Sequence, residues 1–98
     1  MDFIITNKKG KPLSGFYPND LPVTKSGKFA PSRIFAFLDS KQIRFSSEQR
    51  AVEYAHYMRS QLNDSNNRDR YEEACPGSAD RLERLLASLT INELNQSL

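Results

Sequence analysis

Hydrophobic and polar positions are arranged in two different ways along this chain. In the first half, short apolar runs are separated by turn-forming residues, which is typical of short β-strands. In the second half, apolar residues recur every three or four positions, which is typical of amphipathic helices. The pattern predicts an α+β fold in which a small antiparallel sheet of three to four strands is packed by one helix and followed by two or three short C-terminal helices.

The first strands are predicted near the N-terminus. Residues 3–6 form a run of β-favouring side chains, residues 7–10 are turn formers, and residues 11–16 can return as a second strand. Pro12 cannot donate a hydrogen bond to a neighbouring strand, so it should lie at an edge of the sheet or just before the strand begins. The pattern thus predicts a β-hairpin with a lysine-rich tip.

A second pair of strands is predicted in the middle of the chain. Residues 33–38 are apolar on both alternating faces, as in a central strand, and residues 43–45 are expected to pair back onto them after a turn. Between the two pairs, residues 17–32 contain three prolines and a glycine. This segment is predicted to form a loop.

One long helix is predicted to follow the strands. Ser46 and Gln49 have the spacing of a capping box, in which two side chains bond otherwise unpaired backbone N–H groups. The polar residues 63–67 compete for backbone hydrogen bonds and should end the helix. Four side chains at helical spacing form one apolar face: Ala51, Ala55, Met58 and Leu62.

The rest of the chain is predicted to form short helices over residues 68–75 and 78–89. The second of these carries four leucines at i, i+3, i+4 and i+7. We expect them to pack on the protein's own core, with a partner-binding or dimer-forming helix as the alternative. Thr90 and Glu93 repeat the capping-box spacing, which predicts a last helical turn. The leucines are Leu82, Leu85, Leu86 and Leu89.

The 98 residues are expected to form a single domain, with a β-β-loop-β-β-α unit over residues 1–62 and an acidic helical extension over residues 63–98. The charge is divided in a similar way. Residues 1–60 hold ten Lys/Arg and five Asp/Glu, a balance of +5, whereas residues 61–98 hold four and seven, a balance of −3. A basic half can attract an anionic partner.

The cellular compartment is predicted from the absence of export signals. No apolar run approaches the roughly 18–20 residues that span a bilayer, and the N-terminus lacks the cationic and apolar regions of a signal peptide. Cys75 is the single cysteine, so the chain forms no internal disulfide. These features predict a cytoplasmic protein that does not contact membranes.

Residues that carry out chemistry are sparse. With one histidine and one cysteine, no His/Cys zinc cluster can be built within the chain. His56 and Cys75 could act together as base and nucleophile, but Glu72 and Glu73 lie close to the cysteine and disfavour its thiolate. Phosphate-binding and metalloprotease motifs are absent. We therefore predict a non-enzymatic protein with no catalytic residue, metal, cofactor or small-molecule substrate.

Nucleic-acid binding is one possible role of the basic half. Phosphates attract lysine and arginine, and interleaved aromatic rings can stack on bases. Lysines at hairpin tips, however, often serve solubility and block edge-to-edge aggregation, and the pI of about 8.8 lies below the roughly 9 of dedicated binders. The candidate phosphate contacts are Lys8, Lys9, Lys11, Lys25, Lys28 and Arg44.

Protein binding is the preferred role. Aromatic and arginine side chains dominate the binding energy of protein interfaces. In this chain, such residues occur around the loop 17–32 and on the long helix. The candidate partner-binding residues are Phe16, Tyr17, Phe29, Arg33 and Tyr57.

Two segments of the N-terminal half carry short motifs: residues 3–15 read FIITNKKGKPLSG and residues 44–51 read RFSSEQRA. They are similar to a hairpin pattern, I-I-x-N-x-x-G-K-x-L-S-G, and a strand–helix pattern, F-x-[ST]-x-E-x-A. Through these patterns the chain resembles small accessory proteins of bacteriophages. The likeness covers roughly residues 3–60. Its motifs are structural, namely a turn glycine, strand residues and a helix cap.

The resemblance implies a phage-encoded protein that acts in the cytoplasm of its host. Small phage proteins without catalytic residues often bind and block a host nuclease, defence complex or polymerase, and others assist recombination. The expected partner is thus a host protein or protein–nucleic-acid complex, which the protein would modulate or inhibit. Direct contact with nucleic acid is the alternative.

Overall fold

The computed structural model describes residues 2–94 and shows an α+β fold, as predicted. The strands pair in two antiparallel two-stranded sheets, β1 with β4 and β2 with β3. Each sheet is smaller than the predicted one of three to four strands. In chain order the elements are β1 (Asp2–Thr6), β2 (Gly15–Phe16), β3 (Phe35–Ala36), α1 (Glu48–Asn63), α2 (Ser65–Ala74), α3 (Ser78–Ala87) and β4 (Thr90–Leu94), with 3₁₀ turns at Pro31–Ile34 and Asp39–Lys41.

The pairing of β1 with β4 joins the two ends of the described chain. Thr6 lies opposite Thr90, and their hydroxyl oxygens are 3.0 Å apart. The Asn92 side chain donates to the Thr6 hydroxyl at 2.7 Å. The predicted final helical turn is therefore wrong: Thr90 and Ile91 are β-branched, which favours a strand, and β1 offers them an open edge. Residues 95–98 of the predicted extension lie outside the described residues.

The other edge of β1 is covered by single bridges. Phe3 and Phe45 exchange backbone hydrogen bonds of 2.8 and 2.9 Å, and the Leu13 N–H donates to the Ile5 carbonyl at 2.7 Å. The predicted N-terminal hairpin is therefore present around the turn at residues 7–10, although the returning segment pairs with β1 only at a single bridge, between Thr6 and Pro12. These bridges cover the strand where a full neighbour was expected.

The predicted pairing of residues 33–38 with 43–45 is wrong. Pro31 fixes a backbone angle suited to a helical turn, and the 3₁₀ turn it starts leaves only β3 extended, paired with β2. Residues 43–45 turn instead toward the N-terminal hairpin, where the Ile43 N–H donates to the Leu13 carbonyl at 2.9 Å.

The helices agree better with the sequence pattern. Helix α1 begins at Glu48, and the Ser47 hydroxyl caps it by accepting the N–H of Arg50 at 3.2 Å. The predicted cap, Ser46, lies one residue too early. Of the predicted apolar face, Ala51, Met58 and Leu62 are buried.

The core lies between β1, the three helices and the 3₁₀ turn at Pro31–Ile34. Leu82 and Leu86 are buried in it, which confirms the predicted inward packing of part of the leucine stripe. Leu85 and Leu89 are only half-buried. None of the helices within residues 2–94 is long and apolar enough to cross a membrane. The largest fully buried side chains are Ile5, Leu13, Ile34, Met58, Tyr71 and Leu82.

Candidate interaction surface

Four aromatic side chains, from α1, from β2 and from the residue that follows β2, lie near one another at the surface. Tyr54 and Tyr57 are three residues apart on α1, so they share a helix face, and their ring centroids are 5.6 Å apart. The Phe16 ring meets Tyr57 edge-on at 6.0 Å. The Tyr17 ring folds back over Gly15, where an added methyl group would overlap with it. We call Phe16, Tyr17, Tyr54 and Tyr57 the tyrosine patch.

Two rings of the tyrosine patch are well exposed. Tyr17 is 48% exposed and Tyr57 is 47% exposed, whereas Phe16 and Tyr54 are half-buried. Burial raises the pKa of Tyr54, and the nearby Tyr57 and Tyr17 phenols add to this rise. The Tyr54 hydroxyl therefore stays protonated at neutral pH and can donate a hydrogen bond.

Two further aromatic rings, on the core side, pack against the tyrosine patch. Phe45 packs on Tyr54 with ring centroids 5.4 Å apart. Phe35, which is buried, packs on Phe16 at 5.4 Å. Aromatic pairs at such separations gain about 0.5–1.5 kcal/mol beyond their buried area. The exposed Tyr57 ring thus rests on two rings, Phe16 and Tyr54, that pack on the core.

The structure brings together three of the five predicted partner-binding residues, namely Phe16, Tyr17 and Tyr57. Phe29 and Arg33 make different contacts, which hold the loop 17–32 in place. Phe29 stacks on the buried Tyr71, and the Arg33 guanidinium donates to the Val23 carbonyl at 3.0 Å. Tyr54 was missed as a site residue, although its three-residue spacing from Tyr57 on a predicted helix was a usable signal.

Helix α2 anchors the loop 17–32. The Tyr71 hydroxyl donates to the Pro18 carbonyl, and the Arg70 guanidinium donates to the Asn19 carbonyl at 2.6 Å. Burial raises the pKa of Tyr71, more than Arg70 beside it lowers it. The loop is therefore fixed by specific hydrogen bonds to a helix.

The six predicted phosphate contacts do not behave as one group. Lys11 and Arg44 form ion pairs with Asp39 and Asp2, each at 3.5 Å. The other four lie in two different turns: Lys8 and Lys9 in the hairpin turn, and Lys25 and Lys28 in the turn at residues 24–28.

His56 and Cys75 lie on different elements. His56 lines a cleft of about 220 Å³ that α1 forms with β4, which Cys75 does not line. Cys75 is exposed and ends α2. Within residues 2–94, no three His, Cys, Asp or Glu side chains are grouped so that they could hold a metal ion.

Comparison of the chain with protein-family models, curated proteins and solved structures gives no match. The resemblance to bacteriophage accessory proteins therefore stays a prediction. Function has to be inferred from the surfaces of this molecule.

Proposed function

We propose that this protein is a non-enzymatic interaction module that binds a protein partner through the tyrosine patch. The observation that carries this proposal is the exposure of Tyr17 and Tyr57, at 48% and 47%, in one group of aromatic side chains. Tyr57 packs against Phe16 and Tyr54, and the Tyr17 phenol lies close enough to Tyr54 to raise its pKa. Tyrosine is enriched among the residues that dominate binding energy, and these residues cluster in the middle of an interface.

The mechanism of the proposed function is steric. A tyrosine ring offers a large apolar contact area and a hydroxyl group while losing little conformational entropy on binding. Packing of Phe16 on Phe35, and of Tyr54 on Phe45, restricts the supporting rings before the partner arrives. Binding energy lost in ordering side chains is therefore reduced. A protein bound at the tyrosine patch would be sterically prevented from contacting its other binding partners.

The identity of the partner is proposed from the phage resemblance. A phage-encoded protein of this kind would act in the host cytoplasm and would modulate or inhibit a host complex such as a nuclease or defence complex. Contact alone is sufficient for such inhibition, so no bond-making group is needed.

Affinity capture with paired double variants tests this function. The tagged protein is incubated with nuclease-treated bacterial host lysate, and captured proteins are quantified by mass spectrometry. Tyr17→Ser/Tyr57→Ser removes the exposed rings. Leu21→Ser/Val23→Ser is the matched control, since those side chains are 37% and 51% exposed on the loop.

In the tyrosine double variant, we expect the captured amount of one host protein to fall about 30-fold or more, because one hot-spot residue contributes about 2 kcal/mol. The control should retain it. Equal capture by both double variants, or capture that disappears on nuclease treatment, would rule out the proposed function.

A further inference from the structure

A groove between α3 and the N-terminal hairpin turn combines an apolar cleft with a cationic one. The apolar cleft, of about 330 Å³, is lined by Phe35, Phe37, Leu85 and Leu89 and by three polar residues. Phe37, Leu85 and Leu89 are half-buried, so part of each side chain remains open to solvent. A volume near 300 Å³ is enough for a ligand side chain. We call the whole feature the α3 groove.

The cationic cleft adjoins the apolar one, and the two share Leu85 and Ser88. It measures about 340 Å³ and is lined by Lys8, Arg81 and Arg84. Within residues 2–94, none of these three cations forms an ion pair. The acidic neighbour of Arg81 in sequence, Asp80, is instead bound by Arg68 at 3.6 Å. Three positive charges therefore face one end of the groove.

We propose that the α3 groove binds an acidic segment of a partner protein. An apolar side chain of that segment would enter the apolar cleft, and adjacent carboxylates would pair with Lys8, Arg81 and Arg84. Arginine binds carboxylates through paired, charge-assisted hydrogen bonds, and complementary charge sets the register of the bound segment. This is a second surface, and it does not depend on the tyrosine patch.

The distribution of charge favours a peptide over nucleic acid. Single-stranded nucleic acid needs cations that follow its backbone along the groove, whereas the apolar cleft has no lysine or arginine in its lining. The cations are confined to the other end. One cluster of carboxylates beside an apolar anchor matches this arrangement.

Two of the three polar side chains in the apolar cleft already make internal hydrogen bonds, which also favours a peptide. The Ser88 hydroxyl donates to the Leu85 carbonyl at 2.6 Å. The Asn7 side-chain oxygen accepts the N–H groups of Lys9 and Lys11 at 3.0 and 2.9 Å. Reading a base requires hydrogen bonds to its edges. An apolar side chain makes no such demand.

Titration followed by ¹H–¹⁵N NMR tests the proposal. The probe is the peptide acetyl-EDEEFLEDE-amide, and two control peptides replace either its Phe-Leu pair by Ala-Ala or its acidic residues by Asn and Gln. We expect shifts at the amides of Lys8, Phe37, Leu85 and Ser88 with the probe. Each control peptide should bind at least fivefold more weakly.

Charge-matched variants locate the site. Arg81→Glu/Arg84→Glu should weaken binding of the probe peptide at least tenfold. Arg50→Glu/Arg59→Glu makes the same change in charge on α1 and should alter the affinity less than twofold. Lys8 lies in the hairpin turn, so Lys8→Glu serves as a second variant if the arginine substitutions disturb α3. Tyr17→Ser/Tyr57→Ser should leave probe binding unchanged, so this test is separate from that of the tyrosine patch.

Three results would overturn the proposal. The first is no shift with the probe at millimolar concentration. The second is equal weakening by the two arginine double variants. The third is a (dT)₁₅ oligonucleotide that shifts the same amides more strongly than the peptide, which would make the groove a nucleic-acid site.

Discussion

At the scale of single residues, Tyr71 connects three parts of the molecule. Its hydroxyl bonds the Pro18 carbonyl, its ring stacks on Phe29 with centroids 6.1 Å apart, and its own carbonyl accepts the Ser78 hydroxyl at 2.6 Å. It is fully buried, and its polar groups are satisfied, as is usual inside proteins. Local sequence does not predict this role, because the neighbours of Tyr71 on α2 are mostly polar.

Removal of this hydroxyl should destabilise the protein. In Tyr71→Phe the Pro18 carbonyl loses its donor, and we expect the free energy of unfolding to fall by about 1–3 kcal/mol. Urea denaturation followed by circular dichroism measures it. Tyr57→Phe, at an exposed phenol, is the control and should stay within about 0.5 kcal/mol of the parent. Equal effects would show that the bond to Pro18 contributes nothing.

Stability should decrease in alkaline solution because of Tyr54. Burial first, and then the Tyr57 and Tyr17 phenols, raise its pKa in the folded state above its ordinary value near 10. The stability gained from the protonated phenol is complete below the unfolded pKa and is lost as pH rises through the folded pKa. Urea midpoints measured from about pH 8 to pH 12 should decline less steeply in Tyr54→Phe. Identical slopes would contradict this.

At the scale of elements, local patterns predicted the three helices and the N-terminal hairpin, but failed for β4 and for the pairing of β3. Helix α1 follows from a cap and an apolar stripe that lie within one segment. Strand β4 depends on β1, and its Thr90 pairs with a residue 84 positions away. Local spacing carries no information on such a distant partner, so the Thr90–Glu93 spacing on its own predicts a helix cap. The 3₁₀ turn at Pro31–Ile34 likewise interrupts a run that reads as one strand.

One substitution distinguishes the strand from the predicted helix. In a helix, Asn92→Ala would raise stability by up to about 0.7 kcal/mol, since alanine has the higher helix propensity. In β4 it removes the bond to the Thr6 hydroxyl, and we expect a loss of about 0.5–1 kcal/mol. Asn92 is exposed, so changes in burial do not obscure the sign. A stabilised variant would contradict the β1–β4 pairing.

At the scale of the whole molecule, folding rearranges the charges that the sequence divides into halves. Lys8 comes from the basic half, whereas Arg81 and Arg84 come from the acidic half, and all three line one cleft. The α3 groove was therefore invisible in a count of charge along the chain. Aromatic residues such as Phe16 and Tyr57 could be selected by type alone, but only the fold shows that their rings pack together. It also shows that Phe29 and Arg33 hold a loop instead.

The two surfaces lie on a molecule that is elongated and thin. Its principal extents are 47 × 27 × 18 Å, and the shortest of these leaves room for about two layers of secondary structure. Phe35 lies between the surfaces: its ring packs on Phe16 of the tyrosine patch, and the same residue lines the α3 groove. The proposed partner-binding surface and the proposed acidic-segment site therefore share this residue beneath them.

Site-specific photo-crosslinking tests the central claim most directly. Benzoylphenylalanine is incorporated in place of Tyr57 or, as the control, in place of Val23, which is 51% exposed. After irradiation in host cells, we expect a covalent adduct with one protein from position 57 and none from position 23. Equal adducts from both positions, or no adduct from position 57 while affinity capture of the partner persists, would contradict binding through the tyrosine patch.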